Sequence, residues 1–333
     1  MNRAGVTPIS PFHRGERLVQ ERMGVRDKVE QLGRRAVRDH MPEQHRNFYS
    51  ELPFVLVGTV DDGGRPWASI VTGRPGFLTS PDPRTLVVGN SPLFGDPLNR
   101  TLRQGAPIGV LGIQTHTRRR NRMTGTVASV RSDGFSVAVN RTFGNCPKFI
   151  QTRAVAIGPD IDFPGRERSV DRPVDLDEPV RRIIGRADTL FVASAHLDGD
   201  EPESQGADVS HRGGKPGFVR IEDERTFVLP DFSGNSHFNT VGNILVNPRA
   251  GILFIDFDEG DLVYLTGGAE IVWDAAEVER YKGAQRLIRF RADEVLRISH
   301  GLPLRFTFGD YSPMLKRTGP WESVCDTPEQ AVG

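Results

Sequence analysis

Segments of similar sequence recur in the same order in the two halves of the chain. In each half a proline beside a predicted short helix, Pro42 or Pro179, precedes an apolar run that predicts a buried strand. Further pairs of similar segments follow in the same order: 76–78 with 217–219, 85–88 with 226–229, 107–111 with 250–254, and 123–125 with 265–267. Unless short apolar segments have aligned by chance, this repeat indicates two copies of one folding unit with a cleft between them.

The apolar runs are short and are separated by turn residues at regular intervals. The run 61–64, Asp-Asp-Gly-Gly, predicts a tight hairpin turn, and 80–83, Ser-Pro-Asp-Pro, predicts another connection of this kind. This spacing indicates a closed or partly closed antiparallel barrel in each half. We therefore predict a mainly β protein with flanking helices.

Changes in composition divide the chain into four parts. Apolar residues at helical spacing follow Ser10-Pro11, which predicts the start of an amphipathic arm packed on the barrel or on a second subunit. A stretch rich in proline and charge predicts a linker between the barrels, and a small insertion is expected near 198–206. The predicted arm, first barrel, linker and second barrel cover 1–41, 42–158, 159–177 and 178–333.

Charge and hydropathy exclude several kinds of partner. The chain has 43 basic and 43 acidic residues, so it has no overall attraction for nucleic acid or an anionic membrane, and we interpret the basic run 118–122 as a solvated loop. No apolar run reaches the about 18 residues of a membrane span, and 1–10 lacks a signal pattern. Cys146 and Cys325 lie far apart, which favours a reducing cytoplasm over a disulfide framework.

The stretch 232–243 has the composition of a phosphate-binding loop. Nine of its twelve residues are Ser, Thr, Asn, Gly or His, which combine short donors with accessible backbone N–H groups. Its distal part predicts a helix with Asn239 or Thr240 as the N-cap. A polar turn with a capping Asn is the alternative interpretation.

Two other segments could contribute charge to the same site. Alternation along a strand places Asp208, Ser210 and Arg212 on one face and Val209 and His211 on the other. Arg212, with Lys215 beyond it, could offer positive charge to a phosphate, although a polar strand end with a Gly-Gly turn explains the pattern equally well.

The second of these segments is 145–153, where Pro147 predicts the start of a helix. That helix would direct Lys148, Gln151 and Thr152 into a cleft. Without a His/Asp arrangement nearby, we interpret Cys146 as a structural or cofactor-contacting residue rather than a nucleophile.

Several familiar site patterns do not occur. The sequence has no Gly-x-Gly-x-x-Gly after a strand, no Walker A motif and no Gly-x-Ser-x-Gly. Its eight histidines do not have metal-ligand spacing, and we predict no metal site. No catalytic residue can be assigned from the sequence.

Three segments together resemble the pyridoxamine 5′-phosphate oxidase-like flavoproteins, the FMN-binding split β-barrel superfamily. They are 145–151, 210–212 and 232–243, and Asn-Cys-Pro-Lys at 145–148 is the most specific. The similarity spans roughly residues 42–300. It implies two tandem split β-barrels with Greek-key antiparallel strands and FMN bound between them.

In that family, a strand and a Ser-rich loop hold the phosphate and ribityl chain, and the partner barrel covers the ring. By this resemblance, the FMN-contacting residues here are Asp208, Val209, Ser210, His211, Arg212, Phe232, Ser233, Gly234, Asn235, Ser236, Asn239, Thr240, Lys148 and Gln151. Family members are usually homodimers, so a homodimer is possible for this chain as well.

The sequence departs from the family pattern in two places. Many members have Arg or Lys in the phosphate loop where this chain has His237 and Asn239, so Arg212, Lys215 or Lys148 or the backbone must supply the positive charge. The matching loop of the first half, 90–99, has two prolines and the acidic Asp96, which would repel a phosphate. We therefore expect one FMN per chain.

The resemblance implies an FMN-dependent oxidoreductase that acts on an unknown small molecule and takes electrons from a nicotinamide or a separate reductase. One alternative is a flavin- or haem-binding module without turnover, in which His237 or His196 would be the candidate iron ligand. Another is a barrel dimer that has lost its ligand.

Overall fold

The computed structural model of the chain describes residues 10–197 and 205–321. Its strands are β1 (Phe54–Val60), β2 (Pro66–Thr72), β3 (Leu78–Thr79), β4 (Thr85–Val88), β5 (Pro107–Gln114), β6 (Arg119–Arg131), β7 (Gly134–Asn145), β8 (Arg153–Ile157), β9 (Val170–Asp171), β10 (Thr189–His196), β11 (Gly206–Gly213), β12 (Arg220–Ile221), β13 (Thr226–Asp231), β14 (Arg249–Ile255), β15 (Leu262–Val272), β16 (Arg286–Ile298) and β17 (Leu304–Phe308). Its helices are α1 (Arg14–Arg22), α2 (Arg26–Ala36), α3 (Glu43–Ser50), α4 (Leu98–Thr101), α5 (Glu178–Arg186), α6 (Asn239–Val246), α7 (Ala275–Glu279) and a 3₁₀ helix (Pro313–Arg317). The predicted mainly β fold with flanking helices is confirmed. Most of the predicted insertion, the N-terminal nine residues and Cys325 lie outside the described ranges.

The two large sheets have the same strand order. The first sheet runs β2-β1-β5-β6-β7-β4-β3, and the second runs β11-β10-β14-β15-β16-β13-β12. Replacing β1 to β7 by β10 to β16 converts one order into the other. Each sheet is an antiparallel split barrel, and β8 and β17, which follow the two sheets in sequence, pair with each other.

The sheets meet in a seam with reciprocal backbone contacts. A Cβ on Gly109 of β5 would lie 2.5 Å from the carbonyl oxygen of Ala207 on β11. A Cβ on Gly251 of β14 would lie 2.3 Å from the carbonyl oxygen of Pro66 on β2. Gly109 pairs with Thr124 and Gly251 pairs with Thr266, so the two glycines occupy matching positions in the two sheets. The two contacts are therefore related by an approximate two-fold axis, as in an isologous dimer.

The centre of the seam is packed. One buried apolar cluster joins side chains from both sheets, including Phe54, Leu56, Ile70, Phe191, Ala193, Leu253 and Tyr264. The open cleft predicted from the repeat is therefore restricted, and the space that matters below lies at one edge of the seam.

The N-terminal arm packs on the second barrel of its own chain. It consists of two helices, and α1 begins at Arg14 behind an N-cap at His13, so the predicted start at Ser10-Pro11 is wrong. The two helices α1 and α6 touch closely, because a Cβ on Gly15 would lie only 2.2 Å from the carbonyl oxygen of Gly242. Through this contact the arm reaches the loop in front of α6.

The segment predicted as a linker contributes a strand. β9 lies within the predicted linker 159–177. It pairs with the end of β16 and so adds a short strand to the second sheet. In the described part of the chain, no helix combines the length and apolar character required to cross a membrane.

Candidate functional site

A pocket lies at one edge of the seam, between the first sheet and the loop that joins β13 to α6. The space between its walls is about 760 Å³ when the open solvent at its mouth is included. The first half contributes Arg120, Arg122, Asn145, Cys146, Lys148 and Phe149, and the second half contributes Ser210, His211, Arg212, Gly213, Asp231, Phe232, Ser233, Gly234, Asn235, Ser236, Phe238, Asn239, Thr240 and Val241. Both barrels therefore build the pocket.

Cations outnumber carboxylates in this pocket. It is lined by three arginines and Lys148, whereas Asp231 is its one acidic residue within the described ranges. Asp231 pairs with Arg212 at 3.1 Å. Neither Arg120 nor Lys148 is within 4.0 Å of a carboxylate elsewhere in the described part of the chain. The surplus positive charge favours an anionic ligand.

Arg122 forms the floor of the pocket and holds its two sides together. Its side chain is 4% exposed, and its guanidinium donates to Asn239 Oδ1 at 2.8 Å, to the Val209 carbonyl at 2.8 Å and to Ser210 Oγ. Thr240 Oγ1 donates to the same Ser210 Oγ at 2.8 Å. Burial lowers the pKa of Arg122, the carboxylate of Asp208 at 3.8 Å opposes this shift, and the repulsion of Arg212 adds to it.

The backbone around the pocket is strained at three positions. Phe149, Ser236 and Phe238 have φ values of 63°, 63° and 64°, a left-handed conformation that costs about 1–3 kcal/mol for a residue other than glycine. Phe149 stacks on Phe232 with ring centroids 4.6 Å apart, and Arg286 lies 4.9 Å above the Phe238 ring. Such strain concentrates at binding sites, where the surrounding packing maintains it.

α6 presents its N-terminus to the pocket. The helix begins at Asn239 behind Phe238, which makes no side-chain cap. The predicted helix is confirmed, but neither Asn239 nor Thr240 is its N-cap, because their side chains bond to Arg122 and Ser210 instead. The first-turn N–H groups and the positive end of the helix dipole favour an anion here.

A comparison with protein families identifies the second half of the chain. Residues 176–306 match the family model described as pyridoxamine 5′-phosphate oxidase. The chain contains a pyridoxamine 5′-phosphate oxidase-like domain. The family predicted from the sequence is thus confirmed, and the oxidase-like domain supplies β11, the Ser-rich loop and α6. No curated protein matches the chain at a significant level.

Solved structures similar to the chain each cover about one barrel of it. HupZ from Group A Streptococcus is 17% identical, with a TM-score of 0.29, and covers 36% of this chain and 90% of its own. A protein related to general stress protein 26 from Clostridium acetobutylicum is 14% identical, with a TM-score of 0.29, and covers 40% and 92%. A pyridoxamine 5′-phosphate oxidase-related, FMN-binding protein from Nostoc punctiforme is 10% identical, with a TM-score of 0.27, and covers 41% and 97%. At these scores the similarities carry no argument about what the pocket binds.

Most of the residues proposed from the sequence come together at the oxidase-like domain. Those that line the pocket are Lys148, Ser210, His211, Arg212, Phe232, Ser233, Gly234, Asn235, Ser236, Asn239 and Thr240. Asp208, Val209 and Gln151 do not line it. Val209 is buried in the seam, and Asp208 borders a neighbouring cavity. Gln151 is a structural residue, because its amide donates to three backbone carbonyls and accepts from the Ser312 N–H at 2.9 Å.

The segment after β7 is not helical. Residues 146–150 form a turn, with Phe149 in the left-handed conformation, so the helix predicted from Pro147 is wrong. The turn still directs Lys148 into the pocket, where its ammonium lies 3.5 Å from the Ser233 carbonyl oxygen.

The basic run was not recognised as part of the site. Our interpretation of 118–122 as a solvated loop is wrong, because β6 starts at Arg119 and continues the strand predicted from 123 onward. Strand alternation places Arg120 and Arg122 on one face, and both line the pocket. Extending the strand pattern backward across the charged residues would have predicted them.

The histidines proposed as iron ligands do not line the pocket. His196 is 1% exposed and stacks on His13 with ring centroids 4.4 Å apart. His237 is also buried and borders the neighbouring cavity. Neither His196 nor His237 is therefore the exposed histidine that would favour a haem-binding module.

Acidification is expected to destabilise the protein through His237. Burial, with a smaller contribution from Arg122, lowers the pKa of this imidazole to about 4, while an unfolded histidine titrates at 6.5. The unfolded state therefore gains protons first, so stability is fully present above about pH 6.5 and is lost as the pH falls through about 4. Urea unfolding between pH 7 and pH 4 should show a smaller loss for His237→Gln than for the wild type. Parallel curves would show that this imidazole is not the group that titrates.

The place equivalent to this pocket, beside the first-half loop 90–99, contains two of the protein's own side chains, Tyr264 and Asp96. Alignment of 123–125 with 265–267 sets Tyr264 at the place of Arg122. The Tyr264 hydroxyl donates to Asp96 Oδ2 at 2.8 Å, and both residues are buried. Burial raises the pKa of Asp96 to about 6. Asp96, which the sequence indicated would repel a phosphate, thus forms an internal hydrogen bond in place of a second cationic floor.

Proposed function

We propose that the pocket binds FMN and that the chain is an FMN-dependent oxidoreductase. The observation that carries this proposal is the surplus of cations around a helix N-terminus, within a pocket that also has two stacked phenylalanines in its lining. The oxidase-like family match supports it.

The residues present fit a phosphate monoester. Ser236 offers a hydroxyl donor, α6 offers first-turn N–H groups, and Arg122 places a buried guanidinium below them. Arg120 and Lys148 have no carboxylate partner within the described ranges to compete with an anion. A dianionic phosphate would offset two of the four positive charges in this pocket.

The other side of the pocket fits an aromatic ring. Phe149 and Phe232 stack on each other at the wall, and Cys146 lies beside them on the first half. When bound, the flavin would supply hydride or electron transfer, for which the protein needs no acid/base pair. The chain's own residues would bind the ligand, orient it and exclude water from one side.

The duplicated strand order and the filled first-half position support one FMN per chain. We propose that an ancestral barrel duplicated and that only the second copy kept its phosphate loop. A nicotinamide or a reductase as electron donor and a second copy of the chain as a partner remain predictions. The alternative function is a flavin-binding module without turnover, which the same pocket would also support.

Purification tests the proposal directly. Protein isolated without added cofactor should show flavin absorbance and release FMN on denaturation. A colourless preparation that gains no flavin absorbance after incubation with FMN would overturn the proposal. Flavin reduction by NADH or NADPH, followed under anaerobic conditions, would separate an oxidoreductase from a binding module.

Replacing Lys148 with alanine should weaken FMN binding about tenfold, because a cation without a carboxylate partner in the described structure would be removed from the pocket. Lys215→Ala is the matched control, since Lys215 is exposed and does not line the pocket. Equilibrium titration by quenching of flavin fluorescence measures both variants. Equal affinities for Lys148→Ala and the wild type would remove this lysine from the site.

A further inference from the structure

A carboxylate of the N-terminal arm lies directly behind the pocket. Glu16 of α1 is 3% exposed and borders a small second cavity together with His13, Asp208 and Asn239. Asn239 also lines the cationic pocket, so it forms the wall between the two spaces.

Asn239 has a different partner on each side. Its Oδ1 accepts from Arg122 Nη1 at 2.8 Å, and its Nδ2 donates to Glu16 Oε1. Arginine only donates, so the Asn239 Oδ1 must face Arg122, and the Nδ2 group on the other side then needs the acceptor that Glu16 Oε1 provides. The opposite orientation would set an NH₂ group against the guanidinium.

The arm holds Glu16 rigidly at this wall. The backbone N–H of His13 donates to Glu16 Oε2 at 2.9 Å, and the His13 side chain accepts in return from the backbone N–H of Glu16, which completes a capping box at the start of α1. The close contact of α1 with Gly242 of α6 leaves little room for Glu16 to move relative to Asn239.

We propose that Glu16 is a positioning residue for the cationic pocket: by fixing the Asn239 amide, it holds the Arg122 guanidinium in place, so the N-terminal arm is a required part of the flavin site. This inference rests on the proposed function for the identity of the ligand. Its structural part, the chain of contacts from Glu16 through Asn239 to Arg122, stands on geometry alone.

The charge of Glu16 gives the inference a pH signature. Burial raises the pKa of this carboxyl to about 8, and Asp208 raises it further. Asp208 on β11, Arg122 and Arg141 on the first sheet, and His13 on the arm all act on the groups around it. Glu16 is therefore neutral at pH 7, and its ionisation above about pH 8 would place a negative charge behind Arg122 and lower the affinity for a phosphate dianion.

Three variants test the inference: Glu16→Ala, Glu16→Gln and, as control, Glu21→Ala, which removes an exposed carboxylate from the same helix. FMN affinity is measured by fluorescence quenching between pH 6.5 and pH 9.5, and thermal unfolding of the flavin-free protein is measured alongside. Glu16→Ala should weaken FMN binding about tenfold or more, whereas Glu16→Gln, which keeps an acceptor for Asn239, should stay within about threefold of the wild type at pH 7. Only proteins that retain Glu16 should lose affinity as the pH rises through 8.

A double-mutant cycle with Asn239→Ala checks the route. If Glu16 acts through Asn239, Glu16→Ala should have no further effect on FMN affinity once Asn239 has been replaced. Wild-type affinity in Glu16→Ala would overturn the inference. A wild-type protein that does not bind FMN would instead refute the proposed function. If Glu16→Ala does not fold, Asn239→Ala decides the question, because wild-type affinity in that variant would show that no contact through Asn239 holds Arg122.

Discussion

Replacing Arg122 with alanine is expected to raise the Kd for FMN at least about a hundredfold. The substitution removes a buried guanidinium from the pocket floor and leaves the Val209 carbonyl and Asn239 Oδ1 without their donor. A charge-assisted contact to a phosphate lost in a buried site costs about 3 kcal/mol, which corresponds to about a hundredfold in affinity. Arg122→Lys should bind with intermediate affinity, because lysine keeps the charge but cannot form the fork to Asn239 and Ser210.

The measurement must separate binding from folding, because Arg122 also joins the two barrels. Circular dichroism and urea unfolding should show a folded but less stable Arg122→Ala protein, weakened by about 3 kcal/mol. The control is Arg131→Ala, which removes an exposed arginine from the same strand. An Arg122→Ala protein that keeps wild-type affinity for FMN would show that the phosphate does not lie above this guanidinium.

Replacing Gly242 with valine is expected to lower the free energy of unfolding by about 3 kcal/mol or more. Even a Cβ at this position would lie 2.6 Å from the Glu16 backbone nitrogen, so α1 and α6 must separate. FMN affinity should fall in the same variant, because Glu16 would leave the wall of the pocket. Urea unfolding and FMN titration measure the two effects.

Gly185→Ala is the matched control for this prediction. Gly185 is an exposed helical glycine on α5, and a Cβ added there would meet no described atom within 4 Å, so alanine should stabilise the protein by up to about 1 kcal/mol. Gly15→Val should resemble Gly242→Val, and the double variant should be little worse than either, since each alone undocks the arm. Additive losses would mean that the two glycines do not serve one contact.

The strands and the polar loop could be predicted because their signals are local. The apolar runs after Pro42 and Pro179 predicted buried strands, which are β1 and β10, and the composition of 232–243 predicted the loop that lines the pocket. The repeat gave the arrangement of the strands, since the two halves share one strand order. Alternation also predicted correctly that Ser210 and Arg212 share a face with Asp208.

Other parts of the site depend on which elements meet in three dimensions. Arg122 belongs to the site only because β6 extends across a charged run and the seam brings it against β11. Glu16 reaches Asn239 only because two glycines let α1 and α6 approach. The prediction from Pro147 failed because the backbone turns left-handed at Phe149, which the propensities of neighbouring residues do not reveal.

The contact between Tyr264 and Asp96 shows how a duplicated fold can keep a binding site in one copy and lose it in the other. Tyr264 and Asp96 satisfy each other where the second half combines Arg122 with a polar loop. A carboxyl and a hydroxyl that bond to each other offer no positive charge to an anion. This asymmetry underlies the proposal of one flavin per chain, which the ratio of released FMN to protein would check.

The central claim is that the pocket recognises a flavin by its phosphate, and a comparison of FMN with riboflavin tests it most directly. The two ligands share the ring system and differ in the phosphate group. Titration of the flavin-free protein should give a Kd for riboflavin at least about a hundredfold higher than that for FMN, with the difference reduced in Arg122→Ala. Equal affinities for the two ligands, or no binding of either, would contradict the account.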